Sequence, residues 1–123
     1  MRIVLRSKIH RARVTGANPD RAGGILIDED LMDKIDLRNF EDVLVCDVTN
    51  GNRFETHAIA GERGSGVCSV QGSAARLSSK GDCLIIMSLE VSEEPIDPKM
   101  ILVDENNLFV EYLERVKHVR QVH

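Results

Sequence analysis

Four histidines and three cysteines are the side chains of this sequence that could carry metal or redox chemistry. His10 and His57 come without a placed carboxylate or thiolate, and no C-x-x-C or H-x-x-x-H spacing occurs, so we predict no metal site. The cysteines are odd in number and widely spaced, which is typical of reduced thiols in a cytoplasmic protein. The other two histidines stand in a polar tail, and we assign them no role. The thiols in question are Cys46, Cys68 and Cys83, and the tail histidines are His118 and His123.

The bulk composition argues against several classes of partner. The chain has 123 residues and a formal net charge of -4, which fits one domain and gives no electrostatic basis for binding nucleic acid. Aromatic residues make up 3% and Trp is absent, so stacking platforms for single strands are not expected. No apolar run approaches the roughly 20 residues needed to cross a bilayer. We therefore predict neither a nucleic-acid partner nor a membrane partner.

Short apolar alternations between Gly, Asn and Asp breaks predict a mainly β chain. The segment Arg2–Val14 is expected to form one long strand or two bent ones, and Asn50-Gly51 predicts a hairpin. Asp28 stands at an N-cap position before a helix that ends near Ile35. Many short strands in this length indicate a compact barrel. Further strands are predicted at Ile25–Ile27, Val43–Val48, Phe54–Ala60, Val67–Val70, Leu84–Met87 and Met100–Val103, with a helical turn at Gly72–Arg76 and a helix-like segment at Phe109–Val116.

Four blocks of sequence occur in order, without gaps, over about residues 2 to 90. In residue types and in spacing they resemble the pyruvoyl-dependent aspartate 1-decarboxylase family of bacteria. Agreement of this extent is far more specific than any single motif. The blocks are Leu5–Arg11 with Val14-Thr15, Ile27–Met32, Asn50–Thr56 with Ala58–Gly66, and Gly72–Arg76 with Gly81-Asp82.

The resemblance implies a mainly β fold, a six-stranded double-psi β-barrel with short helices. We assign the barrel to residues 1–92 and expect residues 93–123 to form a C-terminal extension packed on it. The resemblance also implies a homotetramer with active sites between neighbouring subunits. In that family a serine attacks the preceding carbonyl, and cleavage of the Gly-Ser bond leaves a pyruvoyl group. This ketone forms a Schiff base with aspartate and accepts the electrons that decarboxylation releases.

The sequence departs from the family where the pyruvoyl group would form. The family's Gly-Ser pair falls on Gly23 and Gly24, and glycine has no nucleophile that could start the acyl shift. No Ser or Thr occurs from Gly16 to Val48. Several departures together favour natural divergence over one mutation that traps an uncleaved precursor. The others are His57 for the family's tyrosine, Gln71 for its asparagine, Ser73 for the first of three alanines, and Arg21 for an aromatic residue.

Other positions match the family's site. Lys8 and Arg53 match the cations that hold substrate carboxylates, a task that suits an ammonium and a guanidinium. The resemblance therefore implies catalytic positions at His57, Thr56 and His10, and substrate-binding positions at Lys8, Arg53, Gln71, Ser73 and Ala74. His57 is either a proton donor and acceptor or a neutral filler of the tyrosine's space. His10 is either catalytic or a structural residue that orients the Gly23-Gly24 loop.

Three functions are compatible with this pattern. The leading hypothesis is a repurposed enzyme without a cofactor, which performs elimination, hydration, isomerisation or cyclisation on a small carboxylate or amino-acid-derived substrate in an intersubunit pocket. The second is a non-catalytic paralogue that binds a ligand or regulates an active relative. The third is an aspartate 1-decarboxylase, converting L-aspartate to β-alanine, that carries an inactivating serine-to-glycine change. The expected partners are a small carboxylate-bearing molecule and further copies of this chain in a homotetramer.

Overall fold

The computed structural model describes residues 1–113 of the chain, and these residues are mainly β-strand. The predicted hairpin, the predicted short helix and the predicted helical turn are all confirmed. The strands are β1 (Ile3–Arg13), β2 (Gly16–Asn18), β3 (Gly24–Asp28), β4 (Asp42–Asp47), β5 (Arg53–Gly61), β6 (Cys68–Gln71), β7 (Cys83–Val91), β8 (Lys99–Val103) and β9 (Phe109–Tyr112), with helix α1 at Glu29–Lys34 and a 3-10 turn at Gly72–Arg76.

The strands close into a barrel through the bend between β1 and β2. Hydrogen-bonded neighbours follow the order β2-β6-β3-β5-β4-β7-β1, so the first and last members are consecutive in the chain. At the bend, the Val14 N–H donates to the Asp82 carbonyl at 2.9 Å and the Thr15 N–H donates to the Cys68 carbonyl at 2.8 Å. Strands β1 and β2 therefore act as one bent strand, which pairs with β7 before the bend and with β6 after it. Counted as one strand, β1-β2 completes a ring of six and leaves no open edge within it.

The core follows from the two-residue period of the strands. On β7, Leu84 and Ile86 are buried, whereas the alternate residues Ile85 and Met87 are half-buried and face outward. The two faces of each strand can therefore be assigned from burial alone. The largest fully buried apolar side chains are Ile9, Ile25, Ile27, Met32, Ile35, Leu84, Ile86, Ile101, Val43, Val45 and Val70.

Helix α1 begins where the sequence predicts it. The Asp28 carboxylate accepts the Asp30 N–H at 2.9 Å and caps the helix. The same carboxylate, 2% exposed, also accepts the N–H groups of Gly64 and Gly66 at 3.0 and 2.9 Å. Charge-assisted bonds of this kind are about twice as strong as neutral ones. Asp28 therefore fixes α1 and the loop after β5 to one point on the barrel.

The C-terminal part corrects one prediction. The helix-like segment predicted at Phe109–Val116 is wrong for residues 109–112, which form β9 antiparallel to β8. Strand β8 in turn runs parallel to Ser7–His10 of β1. Pairing with β8 outweighs the weak local helix preference of these residues, and the Tyr112 hydroxyl donates to the Lys34 carbonyl at 3.0 Å.

Residues 114–123, with the rest of that predicted helix and both tail histidines, lie outside the described residues. Within residues 1–113 no helix is long and apolar enough to cross a membrane.

Candidate functional site

Strand β5 carries three of the predicted site residues and turns them to different sides. Phe54 and Ala58 are buried at 9% and 0% exposure, so this register faces the core. Thr56 shares the core register and pairs with Val43 of β4. Arg53 and His57 share the opposite, outward register. The predicted catalytic neighbours Thr56 and His57 therefore lie on opposite faces of one strand.

A row of paired residues crosses the outer face of the barrel. Arg53 pairs with Cys46, Cys46 with Ile85, and Ile85 with His10. Lys8 lies two residues from His10 in the same outward register. Arg53 and His10 are thus separated by three strand spacings, roughly 14 Å at about 4.8 Å each. All the predicted cations therefore lie on one outer surface, with half-buried apolar side chains between them.

Gly24 and His57 meet where β3 runs beside β5. A Cβ placed on Gly24 would lie 3.1 Å from His57 Nε2 and 2.5 Å from Ile59 Cδ1. Gly24 is buried and has a φ of +125°, a conformation that L side chains rarely adopt. The space beside the Gly24 α-carbon is therefore occupied by an imidazole and an isoleucine methyl group.

The remaining predicted residues approach Gly24 from β6. Gln71 pairs with Gly24 across the antiparallel β3-β6 ladder. Gly72 begins the 3-10 turn at φ +75°, and a Cβ on it would lie 2.7 Å from the Gly23 α-carbon. Ser73 and Ala74 follow in that turn, Ser73 exposed and Ala74 half-buried. The structure therefore brings together Gly23, Gly24, His57 and Gln71, which we call the glycine–histidine cluster. Within residues 1–113 no hydrogen bond or ion pair joins Lys8, His10 or Arg53 to this cluster.

His10 is a half-buried imidazole with unused hydrogen-bonding capacity. Its Nδ1 atom is buried and has no hydrogen-bond partner among the described residues. Burial lowers the pKa of His10, and the charges of Lys8 and Arg11 lower it further. The imidazole is therefore neutral at neutral pH, with one nitrogen available as an acceptor.

Phe40 belongs to the surroundings of His57, although no sequence pattern singles it out. Its ring centroid lies 6.1 Å from that of His57, and the side chain is 70% exposed. The residue has a φ of +70°, which is uncommon for a bulky side chain. The Phe40 N–H donates to the Ala58 carbonyl at 2.7 Å, and the Ala58 N–H donates to the Glu41 carbonyl at 2.9 Å. Two backbone bonds thus hold an exposed aromatic ring beside the imidazole.

The arrangement suits acid–base chemistry and anion binding. Within residues 1–113, no three His, Cys, Asp or Glu side chains lie together in a way that could hold a metal ion. The outer surface instead carries the His57 imidazole beside Gly24 and the cations Lys8 and Arg53, and the half-buried His10 imidazole lies in the same register as Lys8. The strands form a six-stranded barrel, and Gly23-Gly24 lies at the start of β3, which pairs antiparallel with β6. Both features agree with the class of barrel protein that the resemblance predicts.

Comparison with known proteins agrees with this class. A family model described as aspartate decarboxylase matches residues 1–110. The aspartate 1-decarboxylase of Acetivibrio thermocellus is 47% identical over 119 residues, covering 94% of each chain. Those of Clostridium botulinum strain 657 and Thermoanaerobacter pseudethanolicus are 46% identical over 119 residues and 47% identical over 110. The chain belongs to the aspartate decarboxylase family, and its fold is that family's double-psi β-barrel. The family match continues past residue 90, where the resemblance in the sequence stops, and includes β8.

Proposed function

We propose that this chain is an aspartate decarboxylase homologue that does not form a pyruvoyl group and that uses His57 for acid–base chemistry on a small carboxylate. The observation that carries the proposal is the position of His57 Nε2, 3.1 Å from where a Gly24 Cβ would stand. An imidazole is the side chain best suited to move protons near neutral pH. Here it lies against the backbone position at which the family carries its electrophile.

The residues at this position do not fit a pyruvoyl group. Self-cleavage needs a hydroxyl at the second residue of the Gly-Ser pair, and Gly24 has none. Within residues 16–48, which hold no Ser or Thr, the only thiol is Cys46, and it lies on β4, paired with Arg53 and Ile85. A serine at residue 24 would also require Ile59 to move, because Ile59 Cδ1 lies 2.5 Å from the Cβ position. The chemistry that we propose for this chain therefore involves neither a pyruvoyl group nor another cofactor.

A carboxylate pocket would be completed between subunits. Within one protomer Lys8 and Arg53 are about three strand spacings apart, or roughly 14 Å, which no small carboxylate bridges. The outward-facing side chains of β7 support assembly, because they form an apolar band that is exposed to water in the single protomer and would be buried between subunits. Leu89 and Val91 of this band are 48% and 60% exposed. We propose a homotetramer in which the cations of one subunit face the glycine–histidine cluster of another. The band consists of Ile85, Met87, Leu89 and Val91.

The chemistry follows from the groups that remain. A guanidinium and an ammonium neutralise the substrate carboxylates, and His57 removes or adds one proton at a neighbouring carbon or heteroatom. Gln71 and Ser73 supply hydrogen bonds, and the half-buried Ala74 leaves room for the substrate. Elimination, hydration, isomerisation and cyclisation need only such transfers. Decarboxylation of aspartate needs a conjugated electron acceptor, which no ordinary side chain provides.

The second candidate is an ordinary aspartate 1-decarboxylase with one inactivating change. It is favoured by the relatives themselves, which carry that name at 46–47% identity. Its signature would be β-alanine formed from L-aspartate after Gly24→Ser. We expect none, because His57 replaces the family's tyrosine and a side chain at residue 24 would be strained at a φ of +125°.

Carboxylate binding tests the proposed pocket directly. We expect at least one member of a panel of small mono- and dicarboxylates to raise the melting temperature of the wild-type protein. Lys8→Ala and Arg53→Ala should each weaken binding about 10-fold or more in calorimetric titration, because each removes a charge-assisted contact. Arg2→Ala, which removes an exposed cation at the chain start, should bind as wild type does.

Two outcomes of this titration would count against the pocket. Equal affinity in all four proteins would show that neither Lys8 nor Arg53 contacts the ligand. No binding by the wild-type protein across the panel would contradict the substrate class. Binding without any turnover would favour a ligand-binding paralogue over an enzyme.

A further inference from the structure

Arg6 is the extra residue of a β-bulge in β1. Leu5 pairs with Leu89 of β7 and Ser7 pairs with Ser88, so Arg6 is inserted between two consecutive pairs. A bulge bends its strand and redirects a side chain, and bulges are over-represented beside active sites. The Arg6 side chain is 19% exposed, so the bulge holds a permanent charge in a half-buried position.

The Arg6 guanidinium contacts several polar groups at once. Its Nη1 atom lies 2.6 Å from Glu41 Oε2, and its Nη2 atom donates to Ser88 Oγ at 2.8 Å. Its Nε atom donates to Ser7 Oγ at 3.3 Å, and Glu90 lies farther away, at 3.8 Å from Nη1. A planar guanidinium can make such contacts in several directions, whereas the ammonium of a lysine is a single point charge.

Two buried serines, both bonded to this guanidinium, anchor the ends of the connection between α1 and β4, which consists of residues 35–41. At the start of the connection, Ser7 Oγ donates to the Ile35 carbonyl at 2.5 Å. Directly after its end, Ser88 Oγ donates to the Asp42 carbonyl at 3.1 Å. The guanidinium thus orients the two hydroxyls that fix where the connection begins and ends.

Glu41 links the connection to two strands. Its Oε2 atom pairs with Arg6 of β1, and its Oε1 atom accepts the Arg38 N–H at 2.6 Å. Its main-chain carbonyl accepts the Ala58 N–H of β5 at 2.9 Å, and the Phe40 N–H donates to the Ala58 carbonyl at 2.7 Å. The carboxylate of Glu41 therefore ties to β1 the same short segment that the backbone ties to β5.

This segment borders the His57 imidazole. The Phe40 ring centroid lies 6.1 Å from that of His57, and Asp42 pairs with His57 across the β4-β5 ladder. Phe40 has a φ of +70°, a conformation that persists only where the surrounding structure holds it. On its other side the imidazole faces Gly24 of β3. A displaced connection would leave the imidazole free to turn away from Gly24.

We propose that Arg6 is a positioning residue for His57. By holding Glu41 and both ends of the connection, it keeps the Phe40 ring against the imidazole and His57 Nε2 directed at Gly24. The contact between the two rings does not depend on the proposed function. Its consequence for turnover rests on the proton transfer that we propose for His57.

Proton NMR of the full chain tests the contact. The His57 ring resonances are assigned by their loss in His57→Gln, and Phe40→Leu shows where they lie without the ring current of Phe40. Arg6→Lys keeps the charge but loses the planar fork, so it should move these resonances most of the way to their Phe40→Leu positions. All spectra are compared at the pH plateau where the imidazole is neutral.

Arg63→Lys is the matched control. Arg63 is also an arginine paired with carboxylates, those of Asp30 and Asp33, but it lies against α1. This variant should leave the His57 resonances at their wild-type positions. An equal displacement by Arg63→Lys and Arg6→Lys would contradict a specific role for Arg6.

Glu41→Gln approaches the same contact from the partner's side. Gln keeps an acceptor for the Arg38 N–H but removes the charge that Arg6 holds, so the His57 resonances should move as they do in Arg6→Lys. This variant also decides the matter if Arg6→Lys does not fold. Wild-type His57 resonances in both variants would overturn the proposal.

Kinetics separate the positioning from the proposed function. With a carboxylate from the panel that the wild-type protein turns over, both variants should lower kcat about 10- to 100-fold and leave affinity within about twofold, the pattern of a misplaced catalytic group. Displaced resonances with unchanged kcat would confirm the contact and refute its link to turnover. If the wild-type protein turns over no member of the panel, the proposed function fails, and the NMR result still decides the contact.

Discussion

Replacing His57 by Phe should lower turnover of the protein's substrate by about 100- to 10,000-fold, the range that one positioned acid–base group contributes. The substrate is first to be identified among the carboxylates that bind. Phe keeps a planar ring beside Phe40 and Gly24 but cannot carry a proton. Carboxylate affinity should stay within about twofold of wild type, since binding is assigned to Lys8 and Arg53. The measurement is kcat from steady-state kinetics, with affinity from calorimetry.

His57→Gln is the matched control for this experiment. The Gln side chain keeps hydrogen-bonding capacity but does not titrate, so it should be as inactive as Phe if His57 transfers a proton. Activity retained by Gln and lost by Phe would reduce His57 to a hydrogen-bond donor. Activity retained by both would make it a filler of space, the other role that the sequence leaves open.

Replacing Gly24 by Ala should lower the free energy of unfolding by about 2 to 4 kcal/mol, whereas Gly23→Ala should change it by less than about 0.5 kcal/mol. At Gly24 the backbone has a positive φ and the new methyl group would lie 2.5 Å from Ile59 Cδ1. At Gly23 a Cβ meets nothing within 4 Å. Urea denaturation of the two variants measures the difference between adjacent residues of the same type.

A double variant separates backbone strain from crowding at Gly24. Ile59→Val removes the Cδ1 methyl that lies nearest to the new side chain, so Gly24→Ala should cost less in that background. The remaining cost measures the positive φ. If Gly24→Ala is as mild as Gly23→Ala, the position has room for a side chain and would tolerate a serine.

Local signals predict most of the elements in this chain. Asp28 is an N-cap in the sequence and caps α1 in the structure, because capping depends on neighbours within a few residues. The Asn50-Gly51 turn joins β4 to β5 for the same reason. Strand β9 was missed because its conformation is set by pairing with β8, which residues 109–112 do not encode locally.

The candidate site depends more on distant pairing, so less of it could be predicted. Resemblance identifies His57 and Gly24, but these residues approach each other because β3 pairs with β5, with Ile25 opposite Ala58. Thr56 and His57 are adjacent in sequence, and only the register of β5 shows that they face opposite ways. Phe40 carries no motif, and its place beside His57 is set by backbone bonds to β5.

We propose that this member of the family keeps its Gly23-Gly24 bond, and the intact mass of the denatured protein tests this most directly. The protein is to be purified with its native sequence and left at neutral pH before measurement. We predict a single species at the full 13.7 kDa. Two fragments divided between Gly23 and Gly24, the larger carrying a carbonyl that reacts with hydroxylamine, would contradict the account and restore pyruvoyl chemistry to this chain.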